Sequence, residues 1–540
     1  MKKALNHLMT IIMMLVVVPT IAQSEIQTGM DVAVTNTNSG KVRGYIHNKI
    51  YNYKGIPYAK ANRFEAAVKP DAWEGIRSST TYGPVAPLLT PTTEVQDESE
   101  FVFDHDWGYT NENCLNLNVW TPSIADGKKR PVLFWIHGGG FTAGSSHELP
   151  SYDGENLSKK GDVVVVSINH RLNVLGFLDL SAYGEKYKHS ANNSILDLVV
   201  ALEWVRDNIS NFGGDPDNVT IFGQSGGGAK VNTLMAMPKA KGLFHKAINQ
   251  SGSFRSGVLE KEDTQAITTE TLSILGIDAS QVDKLQDIPF SDLADASSKA
   301  LKKVEAKMKA AGKPVMGFGL SWGPSVDGDD LPFQTGSDKA LALSKDIPLL
   351  IGTVKNEFAP FANMRFANAS DDQIMAQIRD QYKEKAEAYI AAVKKAYPDD
   401  TKAIDLLDVD TLFRPGAVAQ ANQKSMIAGG APVYMYLFTW QSPVFDGKYK
   451  ALHCMDLPFV FDNVDLANHM TGGGKEAHIL ADKMSRAWIN FAKTGTPGHS
   501  DLPYWPAYTS ENTATMHFDN TCEVKPQLDK ELFDLVQGSH

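Results

Sequence analysis

The residues Gly223-Gln224-Ser225-Gly226-Gly227 stand between a β-branched run, Val219–Phe222, and a segment that reads as helix. A serine hydroxyl becomes a useful nucleophile when a base can take its proton and when it stands clear of the backbone. Glycines on either side permit the sharp strand-to-helix turn that meets the second requirement. A helix starting just after the serine also aims unsatisfied N–H groups at an anion forming on a substrate. The five-residue pattern alone is weak in a chain rich in glycine and serine, so the strand–turn–helix setting carries the inference.

A second cluster, His137-Gly138-Gly139-Gly140-Phe141, follows the apolar run Val132–Ile136. Without Cβ atoms, such a loop brings backbone N–H groups close to a substrate oxygen. It lacks the G-x-x-x-x-G-K-[ST] spacing of a phosphate loop. A glycine loop upstream of an elbow serine is instead the pattern of an oxyanion hole, and the pair is far more specific than either part.

Both clusters require strands that end side by side. The clearest strand candidates are Val132–Ile136, Val163–Ile168, Val219–Phe222, Ala247–Asn249, Leu349–Gly352 and Val433–Phe438. They alternate with helical stretches such as Ser194–Asn208, where Ile195, Leu198, Val199, Leu202 and Val205 recur at helical spacing. That alternation predicts an α/β fold with a mostly parallel sheet flanked by helices. Residues 255–312 read as charged helix, an insertion placed to form a pocket wall or lid at the C-terminal strand edge.

The whole chain has 540 residues, 43% of them hydrophobic, and a formal charge of −11, which excludes a disordered or fibrous protein. The acidic balance argues against nucleic acid as a partner, since phosphate recognition needs a basic face. Met1-Lys2-Lys3, an apolar run from Leu8 to Val18 and Pro19-Thr20-Ile21-Ala22 have the layout of a secretory signal peptide. The run is too short to span a bilayer, so no stable membrane insertion is expected. Cleavage after Ala22 would remove two lysines and no acids, leaving a charge of −13 on an exported protein, periplasmic or secreted. Three cysteines cannot form a disulfide framework. With no H-E-x-x-H or paired C-x-x-C, neither metal nor organic cofactor is expected.

Longer stretches make the reading specific. Tyr53-Lys-Gly-Ile-Pro-Tyr-Ala59, Glu112-Asn-Cys-Leu-Asn-Leu-Asn-Val-Trp120, His170-Arg-Leu-Asn-Val-Leu-Gly-Phe177, Phe212-Gly-Gly-Asp-Pro-Asp-Asn-Val219, Gln250-Ser-Gly252 and Trp488-Ile-Asn-Phe-Ala-Lys-Thr-Gly495 span most of the chain. With the two glycine clusters, they resemble the type-B carboxylesterase family, the large α/β-hydrolases that include the cholinesterases. The resemblance implies one hydrolase domain over residues 23–540 and a serine triad in the chain order Ser, acid, His. It places the acid at Glu357, in Thr353-Val-Lys-Asn-Glu-Phe358, and the base at His453, in Leu452-His-Cys-Met-Asp456. Asp327, the nearest rival acid, reads as a turn residue in Pro324-Ser-Val-Asp-Gly328.

The chemistry so implied is transfer of an acyl group from an ester to water through a serine-bound acyl-enzyme. Ser225 attacks, His453 moves the proton, Glu357 orients the imidazole, and the N–H groups of Gly139, Gly140 and Gly226 receive the oxyanion. Many family members carry Glu-Ser-Ala where this chain has Gln224-Ser225-Gly226. Loss of that carboxylate argues against cationic choline esters and for small to medium uncharged ones. Lipase, amidase or aromatic-ester activity on the same residues is the alternative, as is a non-catalytic cholinesterase-like binding protein. Trp107, Phe141, Trp322, Phe358 and Phe361 are candidate apolar lining. The partners expected are a small-molecule ester and water, and no residue pattern fixes an oligomeric state.

Overall fold

A computed structural model describes residues 26–89, 98–253, 257–313, 315 and 319–536. The leader expected over residues 1–22 lies outside the described residues. Twelve strands form one sheet, numbered here in chain order: β1 (Ile26–Gln27), β2 (Tyr45–His47), β3 (Ile50–Pro57), β4 (Asn116–Thr121), β5 (Arg130–Ile136), β6 (Val164–Ile168), β7 (Gly214–Gln224), β8 (Lys246–Gln250), β9 (Leu349–Val354), β10 (Val433–Phe438), β11 (Thr515–Phe518) and β12 (Glu523–Lys525). Their spatial order is β1-β2-β3-β4-β6-β5-β7-β8-β9-β10-β11-β12. Neighbours from β6 to β11 pair in parallel, while β1 to β4 and β12 add antiparallel wings.

The parallel strands are buried on both faces, which explains their continuous apolar runs. Alternate side chains enter two different cores. Val132, Phe134 and Ile136 of β5 join one with Val164, Val166 and Ile351. Leu133 and Trp135 enter the other with Val165 and Leu350. The first core is covered by α1 (Asn193–Asn208), whose Ile195, Leu198, Leu202 and Val205 are all buried, and by α2 (Gly226–Met235). The segment read as an inserted helical region holds α3 (Lys261–Leu275) and α4 (Phe290–Ala310), which pack together against this same core. Over the second core runs α6 (Lys475–Thr494), after α5 (Phe413–Ser425). Leu480, Met484, Trp488 and Phe491 form the buried stripe of α6 at helical spacing.

Each expected parallel strand is present, within a few residues of its expected ends. The larger departure is at β7, which starts at Gly214 rather than Val219 and shifts register against β5 between Gly214 and Val219. The three cysteines are unpaired, so burial and hydrogen bonding hold the fold without disulfides.

Candidate active site

Ser225 is the single residue between the end of β7 and the start of α2. Its φ of 56° and ψ of −125° are strained for a residue with a side chain, the conformation expected of a nucleophile on a sharp turn. The Ser225 N–H donates to the Gln250 carbonyl of the neighbouring strand β8 at 2.8 Å, which anchors the turn.

Glycine is required here by contact as well as by conformation. A Cβ on Gly227 would overlap the carbonyl of Ile136 at the end of β5, and one on Gly226 would overlap the backbone of Gly140. The elbow and the glycine loop are thus packed backbone against backbone. An alanine at 226 does not fit this chain unless the Gly140 backbone moves. Gly139 and Gly140 have φ of 74° and 60°. Among the described residues, no turn or loop carbonyl accepts from the N–H groups of Gly139, Gly140 or Gly226.

The other two candidates arrive on the loops after β9 and β10. Glu357 follows β9 by three residues, and Asn356 pins this loop to the histidine loop. Its N–H donates to the Ala451 carbonyl, and the Ala451 N–H donates to its Oδ1, each at 3.1 Å. The His453 N–H donates to the Glu357 carbonyl at 3.1 Å. The same two residues then pair through their side chains, with His453 Nδ1 donating to Glu357 Oε2 in a very short bond. Both are almost wholly buried, at 3% and 1% exposure. Because the carboxylate accepts at Nδ1, the imidazole keeps its Nε2 lone pair for a proton from elsewhere.

Burial pushes the His453 imidazole down to about 4, with the charges of Asp456 and Asp410 opposing. The ring is therefore neutral at pH 7, as a base must be. Burial likewise pushes the Glu357 carboxyl up, while the Ser251 hydroxyl and the Val354 N–H oppose it. The side-chain amide nitrogen of Gln224 donates to the Nε2 lone pair at 3.1 Å; its 3.4 Å approach to Nδ1 is no hydrogen bond, because Nδ1 carries the proton given to Glu357. Cys454 donates to Gln224 Oε1 at 3.2 Å and fixes that amide. Among the described residues, Ser225 Oγ makes no hydrogen bond to the ring. Catalytic hydrogen bonds of this kind often close only when substrate is bound.

Gln250 and Asp456 organise the site from behind, roles that the sequence did not disclose. Gln250 accepts the Ser225 N–H at its carbonyl, donates through Nε2 to Asp456 Oδ2 at 3.0 Å and accepts from Trp488 Nε1 at 3.2 Å. Tyr436 donates to the same Asp456 oxygen at 2.9 Å. Asp327 takes the turn role expected of it, accepting from the N–H groups of Asp329 and Leu331 and from Asn192. Of the aromatic candidates, Phe358 lies over the His453 ring at 4.2 Å, and Phe413 joins it at 5.1 Å. Phe361 sits between Phe358, Phe103 and Tyr449. Trp107 stacks on His105, Phe141 meets Phe177 edge-on, and Trp322 is buried. A His189, Asp329, Asp330 group has metal-ligand types, but Asp330 is already paired with His189 and Lys239.

A mostly parallel sheet with a strained serine at one strand end, and an acid and a histidine on later strand ends, defines an α/β-hydrolase. Residues 31–536 match the model of the Carboxylesterase family. The chain is 37% identical over 514 residues to the para-nitrobenzyl esterase of Bacillus subtilis (strain 168), covering 92% of this chain and 97% of that one. It is 32% identical to the phenmedipham hydrolase of Pseudarthrobacter oxydans, covering 89% and 94%. A solved esterase from Clostridium hathewayi, described as able to hydrolyze aliphatic aromatic polyesters, superposes with a TM-score of 0.82 at 38% identity, covering 94% and 99%. The chain belongs to the carboxylesterase family and is a carboxylic ester hydrolase. No helix among the described residues is long and apolar enough to cross a membrane.

Proposed function

We propose that Ser225, His453 and Glu357 form the catalytic triad and that the N–H groups of Gly139, Gly140 and Gly226 form the oxyanion hole. The observation that carries this is the buried Glu357–His453 side-chain pair, assembled from two loops at the same sheet edge as the strained serine. His453 takes the Ser225 proton as Oγ adds to the ester carbonyl and returns it to the leaving alcohol. A water, deprotonated by the same ring, then releases the acid from Ser225. Glu357 holds the Nδ1–H tautomer and stabilises the imidazolium of each transition state. The test is Ser225→Ala with p-nitrophenyl butyrate. Turnover falls to background in a folded variant under this reading, and undiminished turnover overturns it.

The substrates are small to medium uncharged esters. Gln224 puts a neutral amide beside the nucleophile, and the rings of Phe358 and Phe413 border the base. A choline ester then gains no more than tenfold in kcat/KM over its uncharged isostere. A larger advantage contradicts the substrate reading without touching the triad. The rings also favour aromatic acyl groups as a second reading, which a panel of benzoate and butyrate esters separates. Residues 23–540 act as one catalytic unit, exported after cleavage behind Ala22, a reading that rests on the composition of residues 1–22.

A further inference from the structure

Lys230 is fully buried on α2, five residues beyond the nucleophile, in a helix whose neighbouring Ala229, Val231 and Leu234 are apolar core. The spacing of the elbow motif does not require a lysine there, and burying an ammonium is costly unless it is bonded. Its Nζ donates to the His137 carbonyl at 3.1 Å and reaches the Gly138 carbonyl at 3.5 Å. These oxygens belong to the peptide units whose N–H groups are those of Gly138 and Gly139.

The Gly138 carbonyl also accepts from His137 Nδ1 at 3.0 Å. A carbonyl only accepts, so the proton sits on Nδ1. Burial and the nearby Lys230 charge hold His137 well below its ordinary value, so the ring is neutral. Glu148, also buried, accepts from Tyr152 at 3.2 Å, and burial pushes its carboxyl up to about 7. Burial pushes Lys230 down to about 7, with Glu148 opposing.

We propose that Lys230 is a positioning residue for the oxyanion hole, fixing the glycine loop through its carbonyls and strengthening the N–H dipole of Gly139 from the opposite end of the peptide. Three consecutive glycines have little conformational preference of their own, so the loop needs an external constraint. In a buried setting, hydrogen bonds to one end of an amide polarise the other end. The helix that follows Ser225 thus provides the Gly226 N–H and also holds the opposite wall of the hole.

This inference rests on the proposed triad, and the experiment separates the two. Lys230→Met and Lys230→Gln are purified and their folding is checked by circular dichroism and Tm. Labelling of Ser225 by a fluorophosphonate, retained in the variants, shows that the nucleophile is intact. Steady-state kinetics with p-nitrophenyl butyrate are compared with inhibition by a trifluoromethyl ketone, whose serine adduct carries the oxyanion. The expected result for Lys230→Met is a fall in kcat of about 10- to 100-fold, KM within about threefold, and loss of ketone affinity by the same factor as kcat/KM. Should Lys230→Met fail to fold, Lys230→Leu, which likewise lacks a donor, is read in the same way, while Lys230→Gln, which retains an amide donor, is expected to recover part of the lost kcat. A folded variant lacking a donor, with kcat within twofold of the parent, overturns the proposal. So does a loss of kcat with unchanged ketone affinity.

Discussion

The nucleophile side and the base side of this site are built on different physical terms. On the nucleophile side, β5, β7 and α2 bring their backbones together until Gly226 and Gly227 leave no room for a Cβ. On the base side, Glu357 and His453 are joined by side-chain and main-chain hydrogen bonds across two loops, with ordinary side chains around them. Steric exclusion restricts residue type locally and leaves runs of glycine in the sequence. Electrostatic pairing requires only that one acid and one histidine meet, and it leaves no local mark.

The largest effect that tests this contrast is expected from Glu357→Gln. The amide cannot hold the Nδ1–H tautomer as a carboxylate does, so kcat for p-nitrophenyl butyrate falls by about 10^4-fold while Tm changes little. Loss of the fold instead would show the base side to depend on packing as much as the elbow does. Next in size is Gly226→Ala. Its methyl group displaces Gly140, and kcat falls by up to about 100-fold, comparable to removing one oxyanion donor. A variant as active as the parent would show that the glycine loop yields without loss of geometry.

The smallest effect lies in pH dependence. Protonation of His453 removes the base, and burial places that step near 4 rather than at the ordinary 6.5. Going down in pH, kcat/KM therefore stays flat from 7 to about 5 and falls only below that. An acid limb centred near 6.5 would mean that the ring is more solvated, or its imidazolium more strongly held by the Glu357 carboxylate beside it, than its burial indicates.

The same contrast governs what was legible in the sequence. β5, β6, β8, β9 and β10 were readable because parallel strands buried on both faces are written as continuous apolar runs. The elbow and glycine loop were readable because glycine marks close approach. Glu357 and His453 emerged only through the family resemblance, since nothing local separates them from other acids and histidines. β4 does not read as a strand because Asn116 and Asn118 interrupt its apolar pattern. Asn118 is buried and donates to Ser146 and Ser167, so satisfied polar side chains hid a core strand. Lys230 stayed hidden for a related reason: a helical lysine usually faces water, and only its carbonyl partners show otherwise.

In the proposed triad, Ser225 is activated by His453 and open to an electrophile. Mass-spectrometric mapping of fluorophosphonate labelling, run on the parent protein and on His453→Ala, is the test of that activation. A single adduct on Ser225 in the parent, slowed at least about 100-fold in His453→Ala, is the predicted result. Labelling at another serine, or equal labelling rates in the two proteins, would contradict it.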